Sequence, residues 1–279
     1  MTENSGTPAL RPGERGPEDP EQQAIDARNR KLARAGVARA ERLLVASYRL
    51  SSDQEAFDLL RRASQRFNVK LHTLADTAVH LPAPEPGASS WVPSRPRPAA
   101  PPLPALPALR GDERRPADEG AVLKAALHRT LRITGAEMGN VQLVQNGMLR
   151  MEHHTGLNGR FTDYFTFIDT STTSCAQAAE QTRQVTVKDV AASDTFDEVS
   201  RRTILQTGSH ACHSVPLLSP RGAVIGMVSS HHDRPLLHLT AAQSAALDQL
   251  GRQVGRWLVW HRNTTVVSAL NHLHTTATR

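Results

Sequence analysis

The chain has 279 residues, of which 39% are apolar, 22% charged and 4% aromatic, and its formal net charge is +6. That length suits one or two domains, and the low apolar fraction means that part of the chain builds no core. No run of about 18 apolar residues occurs, residues 1–23 lack the apolar stretch of a secretory signal, and two cysteines make no disulfide framework, so a soluble cytoplasmic protein is expected.

Residues 1–20 are polar and proline-bearing and are expected to form a disordered leader. Residues 21–81 hold one glycine and no proline, and Ala33, Val37, Ala40 and Leu44 step at helical spacing. Ser51 or Ser52 then suits an N-cap, with Asp53 and Glu55 in the first turn that follows. Ala56, Leu59, Leu60 and Ala63 make a second apolar stripe, Asn68 a break, and Leu71, Leu74, Ala75, Ala78 and Val79 a third. The expectation is an all-α unit of three helices, the first one long. About sixty residues is marginal for an independent core, so pairing with a second copy is expected.

Charge singles out this unit. Residues 28–70 carry eleven Lys/Arg against four acids, a balance of +7, whereas residues 1–27 carry two against six. A small module so charged is a candidate for polyanion binding, although a solvated helix face carries the same signature.

Ten of the 18 prolines lie between Pro82 and Pro107, so residues 82–118 are expected to be an extended Pro/Ala-rich linker. Its Pro-x-x-Pro spacings at Pro98, Pro101 and Pro104 fit a docking motif, with a plain spacer as the blander reading. Residues 119–262 then read as an α+β domain with an antiparallel sheet. A helix is expected over 121–133, and Asn146-Gly147 between two alternating runs marks a hairpin. Strands are expected at 185–190, 211–218 and 224–230, and a closing helix over 239–259 with Thr240 as its N-cap. Residues 263–279 are expected to be a C-terminal tail.

Ala40, Leu43-Leu44, Tyr48, the run from Glu55 to Gln65, Lys70-Leu71 and Leu74-Ala75 resemble the ANTAR domain, the RNA-binding module of bacterial transcription antiterminators. The resemblance implies a dimer that binds paired RNA hairpins in a nascent transcript. The RNA-contacting residues expected here are Arg61, Arg62, Gln65, Arg66 and Lys70, with Tyr48 and Phe57 as either base-stacking or core aromatics. The sequence departs from the family where Ala40-Glu41-Arg42 replaces the usual Ala-Lys-Gly.

Met138-Gly-Asn-Val-Gln-Leu-Val, Cys175-Ala-Gln-Ala, Val187-Lys-Asp-Val, Ser214-Val-Pro-Leu-Leu and Ile225-Gly-Met-Val-Ser resemble a GAF domain. That resemblance implies a sensory pocket for a small molecule but does not name the ligand or a cofactor. The resulting expectation is a transcription antitermination regulator with a sensor domain. The alternative is a GAF-centred sensor or adaptor whose helical unit only dimerises. A thiol-dependent reductase of GAF type would need more cysteines than Cys175 and Cys212, and no other catalytic motif is present, so no enzyme is expected. His210, Cys212, His213, His231 and His232 lie close in sequence, yet alternation sets His210 and Cys212 on one strand face and His213 on the other, so no metal site is expected. Cys175 stands at an expected helix start, where it either senses redox or packs.

Overall fold

The structure, a computed structural model, describes residues 20–92, 102–109, 118–168 and 173–278. Its N-terminal part is built from α1 (Pro20–Tyr48), α2 (Asp53–Phe67) and α3 (Leu71–His80). Ser52 caps α2 by accepting from the Glu55 amide at 3.3 Å, and the Glu55 carboxylate accepts from both the amide and the hydroxyl of Ser51 at 2.9 Å. Asn68 ends the helix in the left-handed region, at φ 50°, which asparagine tolerates better than most residues. The predicted apolar stripes meet: Ala40, Leu44, Ala56, Leu60, Leu74, Ala75 and Ala78 are fully buried together.

This core also takes in residues expected to lie outside it. After α8 (Ala241–His261) the chain runs through a π-helical turn, Arg262–Val266, into α9 (Val267–Ala277). Val266, Ala269, Leu270 and Leu273 bury against α1–α3, and the Tyr48 hydroxyl lies 2.8 Å from Nδ1 of His274. Within the segment expected as a tail, 263–279, α9 is therefore a fourth helix of the helical unit. Its apolar residues sit at helical spacing and find a partner only in the folded chain.

The expected linker, 82–118, is likewise not a plain spacer where it is described. Trp91 is fully buried in the helical core, and its amide donates to Oδ1 of Asn271 at 3.0 Å. Further on, a 3-10 turn at Pro107–Leu109 buries Leu109 on the α+β domain, with the Ala108 amide donating to Oε1 of Gln253 at 2.8 Å. The expected leader, apart from Pro20, and the docking prolines Pro98 and Pro101 lie outside the described residues.

The second domain is a six-stranded antiparallel sheet with order β3-β2-β1-β6-β5-β4. Its strands are β1 (Met138–Gln145), β2 (Met148–Thr155), β3 (Phe167–Ile168), β4 (Val185–Val187), β5 (Ala211–Leu218) and β6 (Val224–His232). Asn146 and Gly147 both take positive φ, 50° and 78°, as the predicted hairpin turn requires. One sheet face packs on α4 (Glu119–Thr134) and α8, where Val141, Leu143, Val215 and Val228 meet Leu123, Leu127, Leu250 and Trp257. The other face is covered by three short helices, α5 (Gly159–Tyr164), α6 (Ser174–Gln181) and α7 (Glu198–Gln206).

Thr240 caps α8 through a reciprocal capping box with Gln243. Gly251 and Gly255 let α8 lie directly on the β5 backbone: a Cβ would stand 2.3 Å from the Pro216 carbonyl oxygen at Gly251 and 2.1 Å from that of Leu218 at Gly255. Neither oxygen belongs to a side chain that can swing away. Gly255→Ala is accordingly expected to cost about 3 kcal/mol or more, despite alanine's better helix propensity. Urea denaturation would read the loss, and an unchanged midpoint would show that the helix is free to lift.

Candidate functional site

Two regions have the chemistry to bind a partner. The first is the outer face of α2. Arg61, Arg62, Gln65 and Arg66 are all exposed there, on the side of the helix away from its buried Ala56, Leu59, Leu60 and Ala63. Their i, i+1, i+4, i+5 spacing places them in two adjacent rows. Arg61 pairs with Asp58 at 3.0 Å, an exposed contact worth little in water. Tyr48, hydrogen-bonded to His274 with ring centroids 5.8 Å apart, belongs to the helical core rather than to an open stacking surface. Phe57 is partly buried.

Lys70 does not join this face. It stands at the N-cap position of α3 without capping it, and its ammonium is bonded to Glu152 on β2, a carboxylate with a side chain only 2% exposed. The same carboxylate accepts from Nε2 of His72 at 3.0 Å, and Nε of Arg150 lies 3.8 Å away. Further along α3, the Asp76 carboxylate accepts from the Asn146 amide at the hairpin tip at 3.0 Å, and Thr73 donates to Glu119 on α4 at 3.3 Å. One face of α3 thus holds the helical core together, and the other, polar face is seated on the α+β domain.

The second region is a small enclosed space between the sheet and α5–α7. Asn140, Gln142, Cys175, Cys212 and His231 form its polar side, and Phe161, Phe165, Ile168, Phe196 and Ile204 its apolar side. It holds about 20 Å³ on the scale of water centres, room for about one water. His231 is bridged between Oγ of Ser209 at 3.0 Å and Oδ1 of Asn140 at 3.2 Å. Gln142 donates through Nε2 to the Phe165 carbonyl at 3.3 Å, while its buried Oε1 accepts from no described group. The Cys175 thiol lies 3.2 Å from the Ser229 hydroxyl and 3.5 Å from that of Ser214. Among the described residues no group of three or more His, Cys, Asp or Glu side chains is arranged to hold a metal ion.

None of these cavity residues was assigned a ligand from the sequence, although a signal existed. On β1, Asn140 and Gln142 alternate with the apolar Val141 and Leu143, which puts polar groups on a face that α5–α7 bury.

The cavity is mechanically connected to the helical unit. Phe161 lies on α5 and Phe165 just beyond it, and the N-terminal half of α1 is fastened to that segment. Gln22 donates to the Asp163 carboxylate at 2.9 Å, Asn29 to the Asp163 carbonyl at 2.7 Å and Arg28 to the Phe167 carbonyl at 2.9 Å. Glu21 pairs with Arg160 at 2.7 Å.

Buried titratable groups make the assembly acid-sensitive. Burial depresses His213 and His261 to about 4 and His231 to about 3, so all three are neutral when folded at pH 7. As the pH falls below about 6.5 the unfolded chain takes up these protons first, and at pH 5 each histidine costs about 2 kcal/mol. Burial, and then the Glu152 charge, raise Glu119 to about 7; acidification relieves that strain and returns about 2.5 kcal/mol. For Glu152 burial alone would raise the pKa, but His72 and Lys70 outweigh it and hold the group at about 2, so its contribution is retained down to about pH 4.5. Stability should therefore fall by about 3.5 kcal/mol between pH 7.5 and 5. Urea titrations at the two pH values would measure it, and a flat profile would mean that the histidines are already charged in the folded chain.

A GAF domain model matches residues 118–257, half of the chain, and an ANTAR domain model matches residues 26–78. No curated protein matches the chain. Similar solved structures include the GAF domain/HD domain protein from Geobacter sulfurreducens, at 17% identity over 54% of this chain and 98% of that one, with a TM-score of 0.45. The GAF domain from an Acinetobacter phosphoenolpyruvate-protein phosphotransferase is 14% identical over 77% of this chain and 98% of that one, with a TM-score of 0.43. Free methionine-R-sulfoxide reductase from Neisseria meningitidis, solved in complex with its substrate, is 19% identical over 53% and 83%, with a TM-score of 0.41. The two family matches follow one another along the chain as the helical unit and the sheet domain do: the protein belongs to the GAF domain family and carries an ANTAR domain ahead of its GAF domain, the make-up of a regulator with a sensor domain.

Proposed function

We propose that the chain is a cytoplasmic transcription antitermination regulator that binds paired RNA hairpins through α2 while its GAF domain senses a small molecule. The observation that carries this reading is the exposed row of Arg61, Arg62, Gln65 and Arg66 on the ANTAR domain's second helix. Guanidinium groups pair with phosphates and stack on unpaired bases, and hairpin loops present both. Sensing is supported by the GAF cavity with its unpartnered Gln142 oxygen, and by the bonds from α1 to the segment bearing Phe161 and Phe165. A ligand larger than one water has to displace part of the lining, and a displacement of the Phe161–Phe165 segment would carry α1 with it. The reading assigns the chain no catalytic step, in keeping with two thiols that are both buried.

The test is binding of the full chain to RNAs carrying one hairpin or two, over a series of salt concentrations. Tighter binding to two hairpins, weakening as salt rises, supports the reading. Equal and salt-independent affinity for both, or none, overturns it.

A further inference from the structure

The seam between the two domains contains a contact that the proposed function does not use. Glu152 projects from β2 onto the first turn of α3, where Lys70 and His72 both donate to its carboxylate. No side chain caps α3: its N-cap residue is Lys70 itself. A lysine ammonium and an imidazole N–H are donors that bind a phosphate group, and a carboxylate satisfies the same two. Lys70 lies three residues after Phe67, the end of α2, and four after Arg66, the last of the row. In this structure the Lys70 ammonium and the His72 imidazole are already occupied by Glu152.

On the α3 side the rest of the seam is polar as well, facing a sheet-domain surface that includes Val144, Ile225 and Val259. Asp76 holds the Asn146 amide and Thr73 holds Glu119, whereas the apolar residues of α3 face its own helical core. The groups that α3 turns to the seam are held by ionic and hydrogen bonds, and water and phosphate can satisfy them when the seam opens. Of the two connections to the helical unit, the one after α8 is a π-helical turn, Arg262–Val266, a form of helix associated with local register change.

We propose that Glu152 occupies the place of an RNA phosphate at Lys70 and His72, so that docking of the ANTAR domain on the GAF sheet and full engagement of RNA exclude one another. The docked form is then the restrained form of the regulator, and opening of the seam adds the start of α3 to the RNA-binding row. This inference rests on the RNA-binding reading above.

The test compares the full chain with two variants that weaken the seam by different means. Glu152→Gln removes the charge. Gly36→Phe drives a wedge between α1 and the hairpin tip, since even a Cβ at Gly36 would stand 3.0 Å from Nδ2 of Asn146. The wedge leaves the ion pair's residues intact and replaces a mid-helix glycine with a better helix former. Both variants are expected to bind the two-hairpin RNA at least tenfold more tightly than the unaltered chain, with circular dichroism unchanged. If Glu152→Gln fails to fold, Gly36→Phe alone decides the matter. Folded variants that bind RNA with the affinity of the unaltered chain overturn competition while leaving the RNA-binding reading intact. Absence of binding by all three proteins overturns that reading, and the competition with it.

Discussion

A chain ended at His261 keeps its GAF domain and loses the fold of its ANTAR helices. The missing residues include Val266, Ala269, Leu270 and Leu273, each fully or almost fully buried among α1–α3, and Asn271 and His274, which bond to Trp91 and Tyr48. Burial of a leucine side chain contributes about 2–3 kcal/mol, and a unit of about sixty residues has little stability to spare. The GAF core does not draw on these residues: its two clusters are completed by α4, α5–α7 and α8. The expected result is loss of hydrogen-exchange protection in α2 and α3 with protection of the sheet retained. Leu270→Ala should act in the same direction and cost about 3 kcal/mol. Protected α2 and α3 amides in the shortened chain would show that the three helices fold alone.

Charge reversal on α2 has the largest expected effect on binding. Arg62→Glu together with Arg66→Glu replaces two attractive groups by two repulsive ones on an exposed face, where neither side chain supports the core. Affinity for two-hairpin RNA should fall about 100-fold at moderate salt, and the slope of log affinity against log salt should flatten by about two. Stability should stay within about 0.5 kcal/mol, as it does for most exposed substitutions. Unchanged binding by the folded variant would favour the alternative in which the helical unit serves only to pair copies of the chain.

Much of the fold was legible because it is local. Ser52, Asn68, Asn146-Gly147 and Thr240 act on their own neighbours, so each could be read as a cap or turn before its surroundings were known. What the sequence hid was partnership. The stripe of Val266, Leu270 and Leu273 is as regular as that of α2, but periodicity tells which face is apolar and not what covers it. The pairing of Lys70 with Glu152 joins residues 82 positions apart, so charge counting placed Lys70 with the exposed arginines when it is in fact bound at a domain seam. Trp91 lay in a proline-rich stretch that reads as a spacer by composition, yet its ring fills the helical core. Of the short helices over the cavity only the start of α6, at Cys175, was expected; α5 and α7 run for six and nine residues, too few for their spacing to stand out from the loops around them, and with them the cavity went unread.

The two seams of α3 give the molecule its logic. Its apolar side makes it part of a four-helix unit completed by α9, and its polar side rests on the sensor through Lys70, His72, Thr73 and Asp76. The proposed RNA-binding row on α2 stays exposed in that arrangement, while the start of α3 does not. Hydrogen exchange of the full chain, with and without saturating two-hairpin RNA, tests this most directly. The prediction is slowed exchange along α2 and the first turn of α3. Slowing confined to the GAF domain, or no slowing anywhere, would contradict it.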